Sequence, residues 1–494
     1  MKYLSHKLVI TIILSFIQVI GQAKNVTPEM FGAKGDGITD DAAAFQSAIA
    51  SNTTLTLDAN KRYRIGSYIK IEEVSGVKII GNGAVVFFEP KDRVTAGFYI
   101  NKASNFLVQD VRFESERTKI GQAPNGHARL DYNDSNILGI YIIASSHGKI
   151  NGCSFTNMNM DIMIQSDGKN FNNDITIQNW ISENASMPSY CAHGRNIVYD
   201  GGVIKPASKL GAGNHAIYVS NLSDNVKIYG FKIVSPDGCF GPLITGHCAD
   251  ASLKPNNIKV SNCQLEGGRM IFSQAESFII ENCVFKQTQE TSFDDDSTFK
   301  KVGMAINGTA NYHIKNCRFE LECPLFIQTN HIDQFTIEDS YISINNAQAY
   351  AVSCTGDIRL KNCEIKSGNL YYAGGISNNT PTRMIVEDCK IEVSNYVLSR
   401  RKSSLGEFCF INNSISTPSY FVYNAGSSDC SGLYLYNNKI KGVGIARDMD
   451  SGHGFYSTNI LNDQAFGNNS LSKRKAKGLF KQFKKGKNLI SQYE

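Results

Sequence analysis

The stretch FIIENCVF, residues 278–285, decides the fold. It reads as an alternating apolar strand, then Asn-Cys, then a second short strand. The same phrase returns as IKVSNCQL (258–265), YHIKNCRF (312–319), IRLKNCEI (358–365) and MIVEDCKI (384–391). Looser copies are FLVQDVRF (106–113), ITIQNWIS (175–182), VKIYGFKI (226–233), FTIEDSYI (335–342), FCFINNSI (408–415) and LYLYNNKI (433–440). From Cys317 onward the aligned position falls at 340, 363, 389, 413 and 438. One unit every ~25 residues is the period of a solenoid.

Each unit holds short strands with period-2 alternation, rich in Ile, Val, Phe and Tyr, and contains no helical run. One unit cannot bury its apolar face alone, so it must stack on its neighbours. Stacked turns put Asn over Asn, where side-chain amides can bond along the pile. The expected ladder is Asn179, Asn262, Asn282, Asn316, Asn362, Asn412 and Asn437, with Asp339 and Asp388 standing in. The predicted fold is all-β: a parallel β-helix. At 494 residues the chain would ordinarily divide into several domains, but a solenoid core grows in one dimension.

The 13 cysteines are an odd number, and no Cys-x-x-Cys occurs to suggest structural zinc. Cys153, Cys263, Cys283, Cys317, Cys363 and Cys389 share one repeat position. Cysteine packs well as a small hydrophobe, so a stacked interior thiol column is expected in preference to disulfides.

Four segments follow. Residues 1–23 read as an export signal, with Lys2, His6 and Lys7 before an apolar run at 8–20 and small residues at Gly21 and Ala23. The mature protein is then secreted, periplasmic or at the cell surface. Residues 24–75 form an N-terminal cap and first strands, 76–460 the β-helix, and 461–494 a basic tail. Residues 473–487 hold eight Lys or Arg and no acid, so the net +5 of the chain is local. Such a tail suits an anionic glycan or membrane surface, or a cap on the last rung. Nucleic acid is not an expected partner.

The cap reads VTPEMFGAKGDGITDDAAAFQSAIA, residues 26–50. Gly32, Gly35 and Gly37 allow tight turns. Thr39 is the expected N-cap of a short helix whose Ala44, Phe45, Ala48 and Ile49 plug the open end. Asp40 and Asp41 read as capping carboxylates in preference to a catalytic pair. FGAKGDGITDDAAAFQSAI resembles the N-terminal signature of the pectate-lyase-like superfamily, which includes polygalacturonases, rhamnogalacturonases, pectate lyases and phage tailspike depolymerases. The resemblance implies a right-handed parallel β-helix with a short N-terminal capping helix, and a carbohydrate substrate. It carries no catalytic residue. The segment LDANKRYRI (57–65) departs from it by lacking the Pro and Gly that relatives place before this strand.

Long interruptions between repeats fall before residue 300, and solenoid insertions become loops on one face. Chemistry is therefore expected within 130–300. There the strands DIMIQ (161–165), AIYVS (216–220), LIT (243–245) and RMIFS (269–273) should stack. If Ile162, Ile164, Ile217 and Val219 point inward, Asp161, Gln165, Tyr218, Ser220 and Ser273 point outward. Asp161, Asp167, His193, His215 and His247 are the candidate acids and bases; Gln165, Arg195, Tyr218 and Arg269 are the candidate substrate binders. The same strip also reads as a solvated sheet face.

Two mechanisms fit. Glycoside hydrolysis uses two carboxylates. Elimination from a uronic acid needs a base, with Arg, Lys or Ca²⁺ neutralising the substrate carboxylate. Hydrolysis is placed slightly ahead, on an acidic or pectin-like glycan. It needs no cofactor, while a lyase could hold Ca²⁺ at Asp294, Asp295 and Asp296, which otherwise read as a solvated loop. Asn159-Met160-Asp161 and Gly246-His247-Cys248 resemble fragments of two polygalacturonase motifs; the intervening Asp-Asp and the final Arg-Ile-Lys have no counterpart. A non-catalytic glycan-binding β-helix is the alternative.

Overall fold

A computed structural model gives the chain as parallel strands wound into about 13 turns. It describes residues 24–466 apart from 90–95, 116–119, 123–127, 131–136, 208–214, 236–241, 268, 288–301, 308–310, 374–381, 402–405, 426–432, 447–454 and 458. The expected export signal, the aspartates at 294–296 and the basic run from 473 lie outside the described residues. Among those described, no helix is long and apolar enough to cross a membrane.

The turn at residues 269–286 shows the plan. Arg269–Ser273 lies in sheet 1, Ser277–Glu281 in sheet 2 and Val284–Lys286 in sheet 3. Each pairs in parallel with its counterpart one turn on: Ile271 beside Met304, Ile280 beside Ile314, Phe285 beside Phe319. Alternation then sorts the side chains. Phe278 and Ile280 are buried in the core, while Ile279 and Glu281 lie on the outer face. The chain is the expected right-handed parallel β-helix, the hand that twisted parallel strands favour at their crossovers.

The corner between sheets 2 and 3 requires a left-handed backbone. Asn262, Asn282, Asn316, Asp339, Asn362, Asp388, Asn412 and Asn437 all take it, with φ between 50° and 58°. Asn and Asp tolerate that conformation better than other side-chain-bearing residues. The corners also bond along the axis. Asn316 Nδ2 donates to Asn282 Oδ1 at 2.7 Å, Asn362 to Asp339 at 2.8 Å, Asn412 to Asp388 at 3.1 Å and Asn437 to Asn412 at 2.9 Å. Asn179 instead bonds Asn151, because Gly152 holds the corner one turn earlier. A second column that the repeat phrase did not reveal runs ahead of sheet 2. There Asn196 donates to Asp174 at 2.9 Å and Asn225 to Asn196 at 2.7 Å.

The residue after each corner points inward. Cys153, Cys263, Cys283, Cys317, Cys363 and Cys389 are all buried and free, as the column of thiols requires. Backbone amides bond along it: Cys263 N–H to Cys283 Sγ at 3.5 Å, Cys317 N–H to Ser340 Oγ at 3.1 Å, Cys363 N–H to Cys389 Sγ at 3.4 Å. Three buried amides extend it, with Asn413 N–H donating to Asn438 and Asn438 N–H to Asn459, each at 2.9 Å. Aromatic rings fill the rest of the core in stacks such as Phe88–Phe113–Phe155, with centroids 5.9 and 4.9 Å apart.

The N-terminal helix, α1, spans Ala42–Ala48 and turns Ala44, Phe45 and Ala48 into the open end. Phe45 meets the edge of Tyr63 at 5.2 Å. The helix starts two residues later than expected: Asp41 stands at its N-cap position and Thr39 belongs to the strand Asp36–Asp40. The two aspartates divide the work. Asp40 Oδ1 accepts from Ala42 N–H at 3.1 Å, as a capping carboxylate does. Buried Asp41 reaches back and accepts Lys34 and Gly35 N–H at 2.7 and 3.0 Å, pinning the glycine loop. Gly35 needs its glycine: φ is 59°, and a Cβ there would sit 2.6 Å from Lys61 Cδ.

Candidate functional site

Sheet 1 has an outward face whose residues share one register position. Running along the axis are Tyr99, Tyr141, Met163, Tyr190, Tyr218, Thr245 and Phe272. Their strand neighbours Ile140, Ile142, Ile162, Ile164, Ile217 and Val219 point inward and are fully buried, so alternation forces this set out.

The densest part of the face surrounds Tyr218. Its ring stacks on His215, with centroids 4.7 Å apart and planes at 17°, and on Tyr190 at 5.3 Å. Tyr218 Oη lies 2.7 Å from His247 Nδ1. His247 in turn meets Phe272 at 5.7 Å. Thr245, fully buried on the neighbouring strand, puts Oγ1 2.8 Å from His215 Nδ1. Burial pushes the Tyr218 phenol up to about 12 and lowers His247 below the usual histidine range. Both groups are therefore neutral at pH 7 and coupled by one hydrogen bond, an arrangement able to pass a proton.

Of the expected site residues, the structure brings His215, Tyr218 and His247 together. Gln165 lies on the same face, where Tyr141 Oη donates to Gln165 Oε1 at 2.8 Å. His193 and Arg195 form a separate group around Phe171, at the turn into sheet 2. The Arg195 guanidinium sits 3.8 Å over that ring and the His193 imidazole meets its edge at 5.6 Å. Asp167 is exposed and closes its own loop, accepting N–H groups of Lys169 and Asn170 at 2.9 and 2.7 Å. Those bonds, Asn170 foremost, lower its carboxyl to about 2.

Two candidates are not on the outer face. Asp161 is fully buried, and its Oδ2 accepts from the Trp180 indole N–H at 3.1 Å. The amides of both Asp161 and Ile162 point at Pro188 O, an irregularity that turns the carboxylate into the core. Desolvation pushes it up to about 8. Arg269 is 6% exposed, and burial pulls its guanidinium down to about 10. Of the serines expected to point outward, Ser273 faces inward instead, where Oγ accepts the Ala275 N–H at 3.1 Å. Ser220 keeps the outward register beside His247 but is covered.

Sequence reasoning passed over Tyr99, Tyr141, Tyr190, Thr245 and Phe272. A signal existed for the tyrosines: in GFYIN, GIYII, SYCA and IYVS the Tyr sits at the same place between two inward residues, apolar in all but Ser189. Among the described residues no group of three or more His, Cys, Asp or Glu is placed to hold a metal ion.

No family model matches the chain. Two phage proteins match short stretches. One is depolymerase 1, capsule K30/K69-specific, of Klebsiella phage K5-2, 62% identical over 40 residues, 8% of this chain and 5% of that protein. The other is the capsule K30/K69-specific depolymerase of Klebsiella phage K64-1, 56% identical over 45 residues, 9% and 6% of the two chains. The chain thus matches only about a twentieth of their length. Among solved structures, the N-terminal fragment of bacteriophage Phi29 gene product 12 has a TM-score of 0.56 at 15% identity, covering 94% of this chain and 75% of that one. This likeness is one of fold. That fold is a right-handed parallel β-helix.

Proposed function

We propose that the chain is an exported protein that binds a polysaccharide along the outer face of sheet 1 and cleaves it at His215, Tyr218 and His247. One observation carries this reading: Tyr218 is held between two imidazoles, its hydroxyl 2.7 Å from His247 Nδ1, on a half-exposed face. A phenol and an imidazole in that contact can take a proton from one substrate atom and return it to another. The two phage relatives, named for capsule depolymerases, support a polymeric carbohydrate as substrate.

The pair suits elimination from a uronate-containing chain better than hydrolysis, which reverses the order that sequence favours. Hydrolysis uses two facing carboxylates. Among the described residues, the strands of sheet 1 carry only Glu72 and the buried Asp161. Incubation with polygalacturonate, alginate, dextran and purified capsule of the types those relatives are named for tests the reading, with and without EDTA. Reducing ends with new ultraviolet absorbance mean elimination; reducing ends alone mean hydrolysis. Release from none of these polymers would overturn cleavage and leave glycan binding.

A further inference from the structure

We infer that the polysaccharide is held asymmetrically, with a long arm on the rungs N-terminal to Tyr218 and a short arm ending at Phe272. This rests on the cleavage site just proposed and adds which way, and how far, the polymer extends from it.

The register of sheet 1 carries the argument. On the N-terminal side of Tyr218 the outward position is aromatic at Tyr190, Tyr141 and Tyr99, broken once by Met163. One rung further the register position holds Lys70, and Tyr68, two residues before it on the same strand, prolongs the row through its ring, 5.3 Å from Tyr99, which is 5.5 Å from Tyr141. On the other side the same position holds Thr245 and Phe272, then Ala305, Gln328 and Ser353. The platform thus extends five rungs one way and two the other. At ~4.8 Å per rung that is roughly 24 Å against roughly 10 Å.

The chemistry of the row selects its occupant. These rings are half-buried, so part of each stays open to solvent, with the hydroxyls of Tyr141 and Tyr218 engaged by Gln165 and His247. Rings repeating along one axis meet a polymer that repeats along one axis, with an apolar C–H face on each sugar and hydroxyls at its edges. A peptide adding as a strand needs an open sheet edge, and here each strand from Tyr68–Glu72 to Val302–Asn307 is paired on both sides by its neighbours in the pile or lies at the capped end. A polymer lying mostly to one side of the cut would leave a short product on the Phe272 side at each event.

The test is affinity electrophoresis of the full chain in gels containing polygalacturonate, alginate, dextran or the purified capsules. The expected result is retardation by at least one polymer. It should weaken about tenfold or more in Tyr99→Ala/Tyr141→Ala, the scale of losing two stacking rings, and stay unchanged in Gln328→Ala. Circular dichroism checks the fold, and Tyr99→Ala alone serves if the double variant does not fold. Equal retardation of the ring variants and the unsubstituted chain, or retardation by no polymer, overturns the inference. Two results separate it from the reading beneath it. Cleavage abolished by His247→Ala with undiminished binding in the ring variants leaves the site and removes the asymmetric arm. Ring-dependent binding of a polymer that the chain never cleaves keeps the arm and removes the cleavage site.

Discussion

The N–H of Cys389 donates to Oδ1 of Asn413 at 2.8 Å, and at this contact a column of thiols becomes a column of amides. Asn413 and Asn438 are each 2% exposed. The amide column therefore sits in the dry core, where every polar group needs a partner.

Asn438 is the member with most to lose. It accepts from Asn413 N–H and Nδ2, both at 2.9 Å, and donates to Phe410 O at 2.9 Å. Asn438→Ala would strand two donors and a carbonyl. The expected cost is about 2–4 kcal/mol, read as a lowered urea midpoint.

The thiols should tolerate a hydroxyl better than their sequence suggests. Without a known partner, Cys283→Ser is expected to cost about 1–3 kcal/mol. Ser340, however, already stands in the same column, accepting Cys317 N–H at 3.1 Å and donating to Glu338 O at 2.8 Å. The expected loss for Cys283→Ser is therefore about 1 kcal/mol or less, since the new hydroxyl has the same partners within reach. Protein denatured without reductant should also titrate for most of its 13 cysteines; near-complete oxidation would contradict the free column.

His247→Ala and Tyr218→Phe should each lower turnover about 100-fold or more while leaving the circular dichroism unchanged, because both side chains face outward. Burial lowers the His247 pKa. A mechanism that needs the neutral imidazole then keeps its rate into acid, and the acid limb of the pH–rate profile should fall below about 6.5, the ordinary histidine value. A limb at or above that value would argue against His247 as the base.

Asp161 makes the opposite prediction about pH. Its folded-state pKa, about 8, lies far above the unfolded value of roughly 3.9. For a carboxyl shifted upward, its favourable contribution is complete below the unfolded pKa and is lost as pH rises through the folded one. Thermal stability should decline between about pH 4 and 8, and Asp161→Asn should flatten that decline while keeping an acceptor for the Trp180 indole. Turnover should persist in Asp161→Asn. A loss comparable to that of His247→Ala would return Asp161 to the chemistry.

The fold was legible because its rules are local and repeated. Asn282 needs a left-handed corner, Phe278 and Ile280 need an inside, and the same demands recur every turn. The site was legible only where alternation held. Tyr218 and His247 came out together because their strands keep a strict period of two, and His215, just before its strand, joins them by stacking on Tyr218. Asp161 did not, because paired amides on one carbonyl broke the period and put a carboxylate beside Trp180. Arg269 was misplaced for the opposite reason: it shares the parity of inward Ile271 and Ser273, so the period of two itself puts it on the covered side. Thr245 offered no signal, since its value lies in a histidine thirty residues away.

The serine at 340 has a consequence for the size of the molecule. A rung whose inward residue can be Cys, Ser or Asn is an exchangeable part, and the column sets the length of the protein in whole steps. Excising residues 318–340 would remove one rung and bring Cys317 against Cys363 and Asn316 against Asn362, contacts of the same kind as those already present. The shortened chain should close up in register, while a cut of one residue more or less should not. The molecule is in this sense a ruler. Its C-terminal half can gain or lose graduations without moving the three residues proposed to do the chemistry.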